Sequence, residues 1–177
     1  MRRPTSLAIL LAALLAPLCA VATVAVVATA QVAASGDPLP FERGSWAKLR
    51  AAHVGQPTVI HFWGLTCGPC LIELPHWGKL RQERPDLKLV LIAADPLPQD
   101  PDRVLATLER AGLAGSESWS FTDRFYERLR YEIDPTWAGE LPRTVMIDRD
   151  GKAQVLPGVA DLSTVRAWLE FQAKTRQ

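Results

Sequence analysis

Several things are scarce in this chain, and each scarcity excludes something. It holds three cysteines in 177 residues, too few for a small scaffold stapled by disulfides. It holds three histidines, His53, His61 and His76, so a histidine-rich metal cluster is excluded. Charge of one sign is also missing. The net charge is +1, and removing Arg2 and Arg3 leaves 18 basic against 19 acidic residues. No basic surface for a nucleic acid is present, and no nucleic-acid partner is expected. There is no internal repeat and no low-complexity segment beyond the first residues. With 48% hydrophobic and 22% charged residues, the remainder suits one packed domain.

The first 34 residues are of a different kind. Leu7 to Ala30 is apolar or small apart from Thr23 and Thr29, behind Met1-Arg2-Arg3. That run is long enough to cross a bilayer, and its flanking charges place the domain outside the cytoplasm. Ala28-Thr29-Ala30 also fits a signal cleavage site. Residues 1–34 are therefore read as a signal peptide or membrane anchor, 35–44 as a linker, and 45–177 as the folded domain. Cys19 falls in the leader, which leaves Cys67 and Cys70 as the only cysteines of the domain.

Those two sit at the most informative place in the chain. Thr58-Val59-Ile60-His61-Phe62-Trp63 is a continuous apolar run that reads as a buried strand. It breaks at Gly64, and Leu71-Ile72-Glu73-Leu74 restarts as a helix. Cys67-Gly68-Pro69-Cys70 thus falls on the first helical turn, where free N–H groups and the helix dipole favour a thiolate. Cys67 is read as the attacking sulfur and Cys70 as its resolving partner. Half of a zinc site is the plain alternative, but the domain has no second cysteine pair.

The rest of the chain alternates. Ser45 is expected to cap a short helix over Trp46–His53, and the helix after Cys70 to run to about Arg84 with a kink at Pro75. Leu87–Ala94 reads as a second buried strand. Asp100 caps a helix that begins with Pro101 and ends near Arg110. Ser118–Phe121 alternates like a strand, and Asp123–Tyr131 has helical spacing. Thr144–Asp148 and Lys152–Leu156 flank Arg149-Asp150-Gly151 as a hairpin, and Asp161 or Ser163 caps a last helix. Parallel βαβ units followed by an antiparallel hairpin predict an α/β fold, a central mixed β-sheet flanked by helices.

Phe62-Trp63 before Cys67-Gly68-Pro69-Cys70, then Glu73 and Pro75, then Leu141-Pro142-x-Thr144 leading to Ile147-Asp148 and Gly151, resemble the thioredoxin superfamily. The pattern is closest to its membrane-anchored, exported branch, the TlpA/ResA-like thiol-disulfide oxidoreductases, and covers about Val54 to Ala173. The resemblance implies a thioredoxin-like fold, with Pro142 cis beside the dithiol and the Leu141 backbone free to pair with an incoming peptide. It implies Trp63, Leu141 and Pro142 as substrate-contacting residues, and a proton-transfer role for Glu73, whose spacing places it on the face of Cys70. No cofactor is implied beyond the Cys67–Cys70 redox disulfide. The implied partners are exported proteins with reducible disulfides, apocytochrome c or copper-site proteins among them, and a membrane electron donor. The implied location is the periplasm.

Thr66 and His61 depart from the family pattern, and 134–140 lengthens the approach to Pro142. His61 is read as a core histidine satisfied by a backbone hydrogen bond, with proton carrier or copper ligand as alternatives. His76 is read as a surface residue, and Trp77, Trp119 and Trp168 as packing. Gly68-Pro69 between the cysteines favours a reductase. A dithiol oxidase and a copper-binding chaperone on the same scaffold are the competing readings, since soft thiolates bind Cu(I).

Overall fold

The computed structural model describes residues 36–96 and 99–175. The leader, its cleavage site, its spanning run and Cys19 all lie outside the described residues. Among the described residues no helix is long and apolar enough to cross a membrane.

The described chain runs β1 (Leu39–Phe41), α1 (Ser45–Ala52), β2 (Thr58–Trp63), α2 (Gly68–Glu83), β3 (Lys88–Ala93), α3 (Pro101–Arg110), β4 (Glu117–Phe121), α4 (Tyr126–Ile133), β5 (Arg143–Ile147), β6 (Ala153–Pro157) and α5 (Leu162–Lys174). The strands form one sheet in the order β1-β4-β3-β2-β5-β6. β1, β4, β3 and β2 run parallel, whereas β5 and β6 are antiparallel to their neighbours. The mixed sheet is the one expected from the sequence.

Burial explains why β2 and β3 read as unbroken apolar runs: both of their faces are covered. On one face Val59 and Trp63 of β2 meet Leu74, Trp77 and Leu80 of α2, Val104 of α3, and Val165 and Leu169 of α5. On the other, Ile60 and Phe62 meet Trp46 and Leu49 of α1, Leu129 of α4, and Trp137. Side-chain alternation along β2 therefore feeds two cores from one strand. Gly78 lets α2 lie close against the end of α3, since a Cβ built there would stand 1.9 Å from the Ala111 carbonyl oxygen.

Three local expectations are corrected. Residues 35–44 are not all linker, because Leu39–Phe41 forms an edge strand paired with β4 and buries Phe41. Pro38 before the three-residue run and Pro40 inside it hid the strand, and an edge is where a strand tolerates proline. Ser45 does not cap α1; it is the first helical residue, its hydroxyl accepts the Glu42 N–H at 3.0 Å, and Gly44 takes the cap position with φ 80°. The fourth helix begins at Tyr126 rather than Asp123, and Asp123 instead accepts the Phe125 N–H. Helix α2 is unbroken across Pro75.

Candidate active site

β2 ends at Trp63, and after four intervening residues α2 begins, so the strand delivers the dithiol to the end of the sheet where the parallel strands terminate. Cys67 is the N-cap of α2 with extended backbone, and its sulfur accepts the Cys70 N–H at 3.3 Å. Proline at the start of the helix withholds a donor that would have been unpaired in any case. Cys67 and Cys70 form a disulfide. Their surroundings differ: Cys67 is half-buried and Cys70 is 0% exposed. Only the first sulfur can meet a macromolecular partner.

The turn ahead of Cys67 is held by a residue that the sequence did not point to. Asp95, just past β3 and 5% exposed, accepts the Leu65 N–H at 2.5 Å, the Thr66 N–H at 3.2 Å and the Thr66 hydroxyl at 2.6 Å. Gly64 leaves the space for it, because a Cβ there would stand 2.6 Å from Asp95 Oδ1. The hydroxyl at Thr66, a departure from the family pattern, thus has a partner. Local signals cannot find such a pair, since the two residues lie about thirty positions apart.

Glu73 lies one turn beyond Cys70 on α2 and is 2% exposed. Its Oε1 accepts Trp77 Nε1–H at 2.8 Å and the Ala160 N–H at 3.0 Å, while Oε2 has no partner. Burial pushes the carboxyl above its ordinary range, although both hydrogen bonds and the nearby His76 pull it down. The folded protein therefore holds a proton on Glu73 at pH values where the unfolded chain has released it. That contribution to stability is complete below the ordinary glutamate range and is lost as pH rises through the raised value. Denaturant unfolding of the oxidised protein should thus show stability falling across that window. Glu73→Gln, which keeps the shape and the acceptor, should flatten the fall, and an unchanged slope would show that another group sets it.

His61 is fully buried on the α2 side of the sheet, 5.0 Å from the Trp77 ring. The expected backbone hydrogen bond is replaced by one between Nδ1 and the Thr144 hydroxyl at 3.0 Å, across the β2–β5 pairing. Nε2 has no partner. Burial pushes its pKa down to about 3, so the ring is neutral at neutral pH. Among the described residues no three His, Cys, Asp or Glu side chains come together as a metal site. His76 is exposed, Trp77 is fully buried, and Trp119 and Trp168 are half-buried.

The Leu141–Pro142 bond is cis. Leu141 lines a groove of about 500 Å³ together with Thr66, Cys67, Pro69, Tyr126 and Arg130. Trp63 does not belong to that surface. It is fully buried in the core that holds Cys70 and Leu74, so its expected role in contacting substrate is corrected to packing beneath the turn. The segment 134–140 is anchored rather than loose. Arg143, the first residue of β5, pairs with Asp134 and Glu140, and its guanidinium stacks on Trp137.

No family model and no curated protein matches the chain. Solved structures do match. A solved structure of a candidate thioredoxin from Neisseria meningitidis superposes with a TM-score of 0.53 at 18% identity, covering 70% of this chain and 79% of that one. The fold is thioredoxin-like. StoA from Bacillus subtilis matches with a TM-score of 0.50 at 21% identity over 66% of this chain and 84% of its own. A candidate thiol-disulfide oxidoreductase from Bacteroides vulgatus gives 0.50 at 25% identity over 70% and 78%. Within a thioredoxin-like frame, the half-buried sulfur, the buried sulfur one turn on and the cis-proline loop share one end of the sheet.

Proposed function

We propose that this chain is an exported thiol-disulfide oxidoreductase that reduces disulfides in partner proteins outside the cytoplasm. One observation carries the reading: an accessible sulfur at a helix N-terminus is joined to an inaccessible one on the first turn. In the reduced form the Cys67 thiolate attacks a partner disulfide, forming a mixed disulfide and releasing one partner thiolate, which takes a proton. Cys70 then gives up its proton and attacks the Cys67 sulfur, closing the intramolecular disulfide and releasing the second partner thiol. Two electrons and two protons pass to the partner. Glu73 is one turn from Cys70 and holds a proton more firmly than an ordinary carboxylate, so it suits the proton transfer of the second step.

The cycle needs a dithiol electron donor at the membrane, because an exported domain is cut off from cytosolic reductant. The leader, residues 1–34, supplies the export signal or anchor in this reading, and the domain works in the periplasm. Cys67 and Cys70 exchange disulfides, Leu141 and Pro142 present the backbone to the partner, and no cofactor beyond the disulfide takes part. Suitable partners are exported proteins with reducible disulfides, apocytochrome c and copper-site proteins among them.

Insulin reduction by the dithiol-reduced protein tests this, together with the midpoint potential of the Cys67–Cys70 couple. A reductase should lie near the thioredoxin value, about −270 mV, and an installer of disulfides near about −120 mV. A potential at the upper end with no insulin reduction would reverse the proposed direction.

A further inference from the structure

The groove beside Cys67 contains a cation with nothing to bind. Arg130 of α4 lines it, and its guanidinium makes no hydrogen bond or ion pair with any of the described residues. Its Nε is buried and unpartnered. The difference from Arg143 lies in the ion pairs: the Arg143 Nε is also buried without a partner, but its terminal nitrogens hold Asp134 and Glu140.

Arg130 is nevertheless held in place. Its guanidinium sits over the Tyr126 ring at 5.0 Å and close against Gly139, where a Cβ would stand 1.6 Å from Nη1. Gly139 has φ 106°, a conformation that favours glycine, so the loop gives the guanidinium its seat. Two neighbouring carboxylates are engaged elsewhere. Asp95, in the same groove, is turned onto the Leu65 and Thr66 donors. Asp134 is taken by Arg143, and the neighbouring Glu127 pushes the Tyr126 phenol's pKa up.

A fixed guanidinium presents a planar fork of donors that matches a carboxylate. A half-buried charge without a partner has already lost part of its hydration, and so gains more from an incoming anion than a solvated lysine does. We propose that Arg130 reads the charge of the partner, and that the groove selects disulfides flanked by an acidic residue. The proposal rests on the oxidoreductase reading and adds its substrate class: a protein or peptide segment carrying Asp or Glu beside the cysteine that Cys67 attacks. The electrons and protons move as in the exchange described above, and Arg130 only binds.

The test uses two disulfide peptides identical except for Glu or Lys beside the cysteine, and single-turnover reduction by the reduced protein. The wild-type chain should prefer the acidic peptide about tenfold at low salt, with the preference shrinking as salt screens it. Arg130→Gln should bring the ratio to about one, and Arg130→Glu should invert it. Because the readout is a ratio between two substrates, a general loss of activity in a variant does not imitate the result. A wild-type ratio of one, or a preference that survives Arg130→Gln, overturns the proposal. The neutral disulfide of 2-mercaptoethanol separates the two readings. If the wild-type chain reduces it but shows no charge preference, only the role of Arg130 falls; if it leaves it untouched, both fall.

Discussion

With Cys67→Ser, disulfide exchange is expected to fall to the uncatalysed background, while Cys70→Ser should stop half-way and accumulate a covalent adduct with the partner. The asymmetry follows from burial and position. A serine hydroxyl stays protonated where a thiol at a helix N-terminus ionises, so losing Cys67 removes the nucleophile itself. Losing Cys70 spares that nucleophile but removes, among the described residues, the only cysteine placed to release the mixed disulfide, since Cys70 lies one turn inside α2 and is buried. Insulin turbidity reports the first loss, and non-reducing gels with intact-mass measurement report the second. Alkylation of the reduced wild-type protein adds an independent check. Cys67 should react first, because its sulfur is accessible at a helix N-terminus and Cys70 is buried, whereas faster labelling of Cys70 would reverse the assigned roles.

Gly78→Ala should be strongly destabilising, although it adds a single methyl group. The added carbon would sit 1.9 Å from the Ala111 carbonyl oxygen and 3.0 Å from its carbon, and backbone cannot swing aside as a side-chain tip can. Helix α2 would have to lift from the end of α3, opening the core that Trp77 and Leu80 share with Val104 and Leu108. Overpacking of this kind costs about 3 kcal/mol or more when the obstacle is rigid. For a domain of this size that corresponds to a Tm lower by about 10 °C. Gly68→Ala is the matched control, because nothing lies within 4 Å of a Cβ built there. It should change stability by less than about 0.5 kcal/mol. Equal Tm values for the two variants would mean that α2 can move away from α3 at little cost.

What could be read from the residues follows from how local each signal is. β2, the Cys67–Cys70 turn, the Asp100 cap, the Arg149-Asp150-Gly151 hairpin and the last helix are each specified by neighbouring residues, and each appears where expected. The features that escaped depend on distant contacts. β1 exists only because β4 accepts it, and Leu39-Pro40-Phe41 has no pattern of its own. Asp95 becomes part of the site through donors on the other side of a βαβ unit. Arg130 looks like an ordinary exposed helix residue until Gly139 and Tyr126 are seen to enclose it. Trp63, which the resemblance placed in contact with substrate, is fully buried because both faces of β2 are covered.

The clamp formed by Arg143 reaches further than the segment it fastens. Because this side chain belongs to the residue directly after Pro142 and grips Asp134 and Glu140 at once, the stretch from the end of α4 to the start of β5 is a bracket closed on itself. The bracket carries both Leu141 and Gly139, and so sets one wall of the groove and the seat of Arg130 together. Lengthening or shortening the stretch between 134 and 140 would therefore retune both features at once. Grafting it as a cassette, with Arg143 included, is the natural way to exchange one set of clients for another while leaving the sulfur chemistry alone.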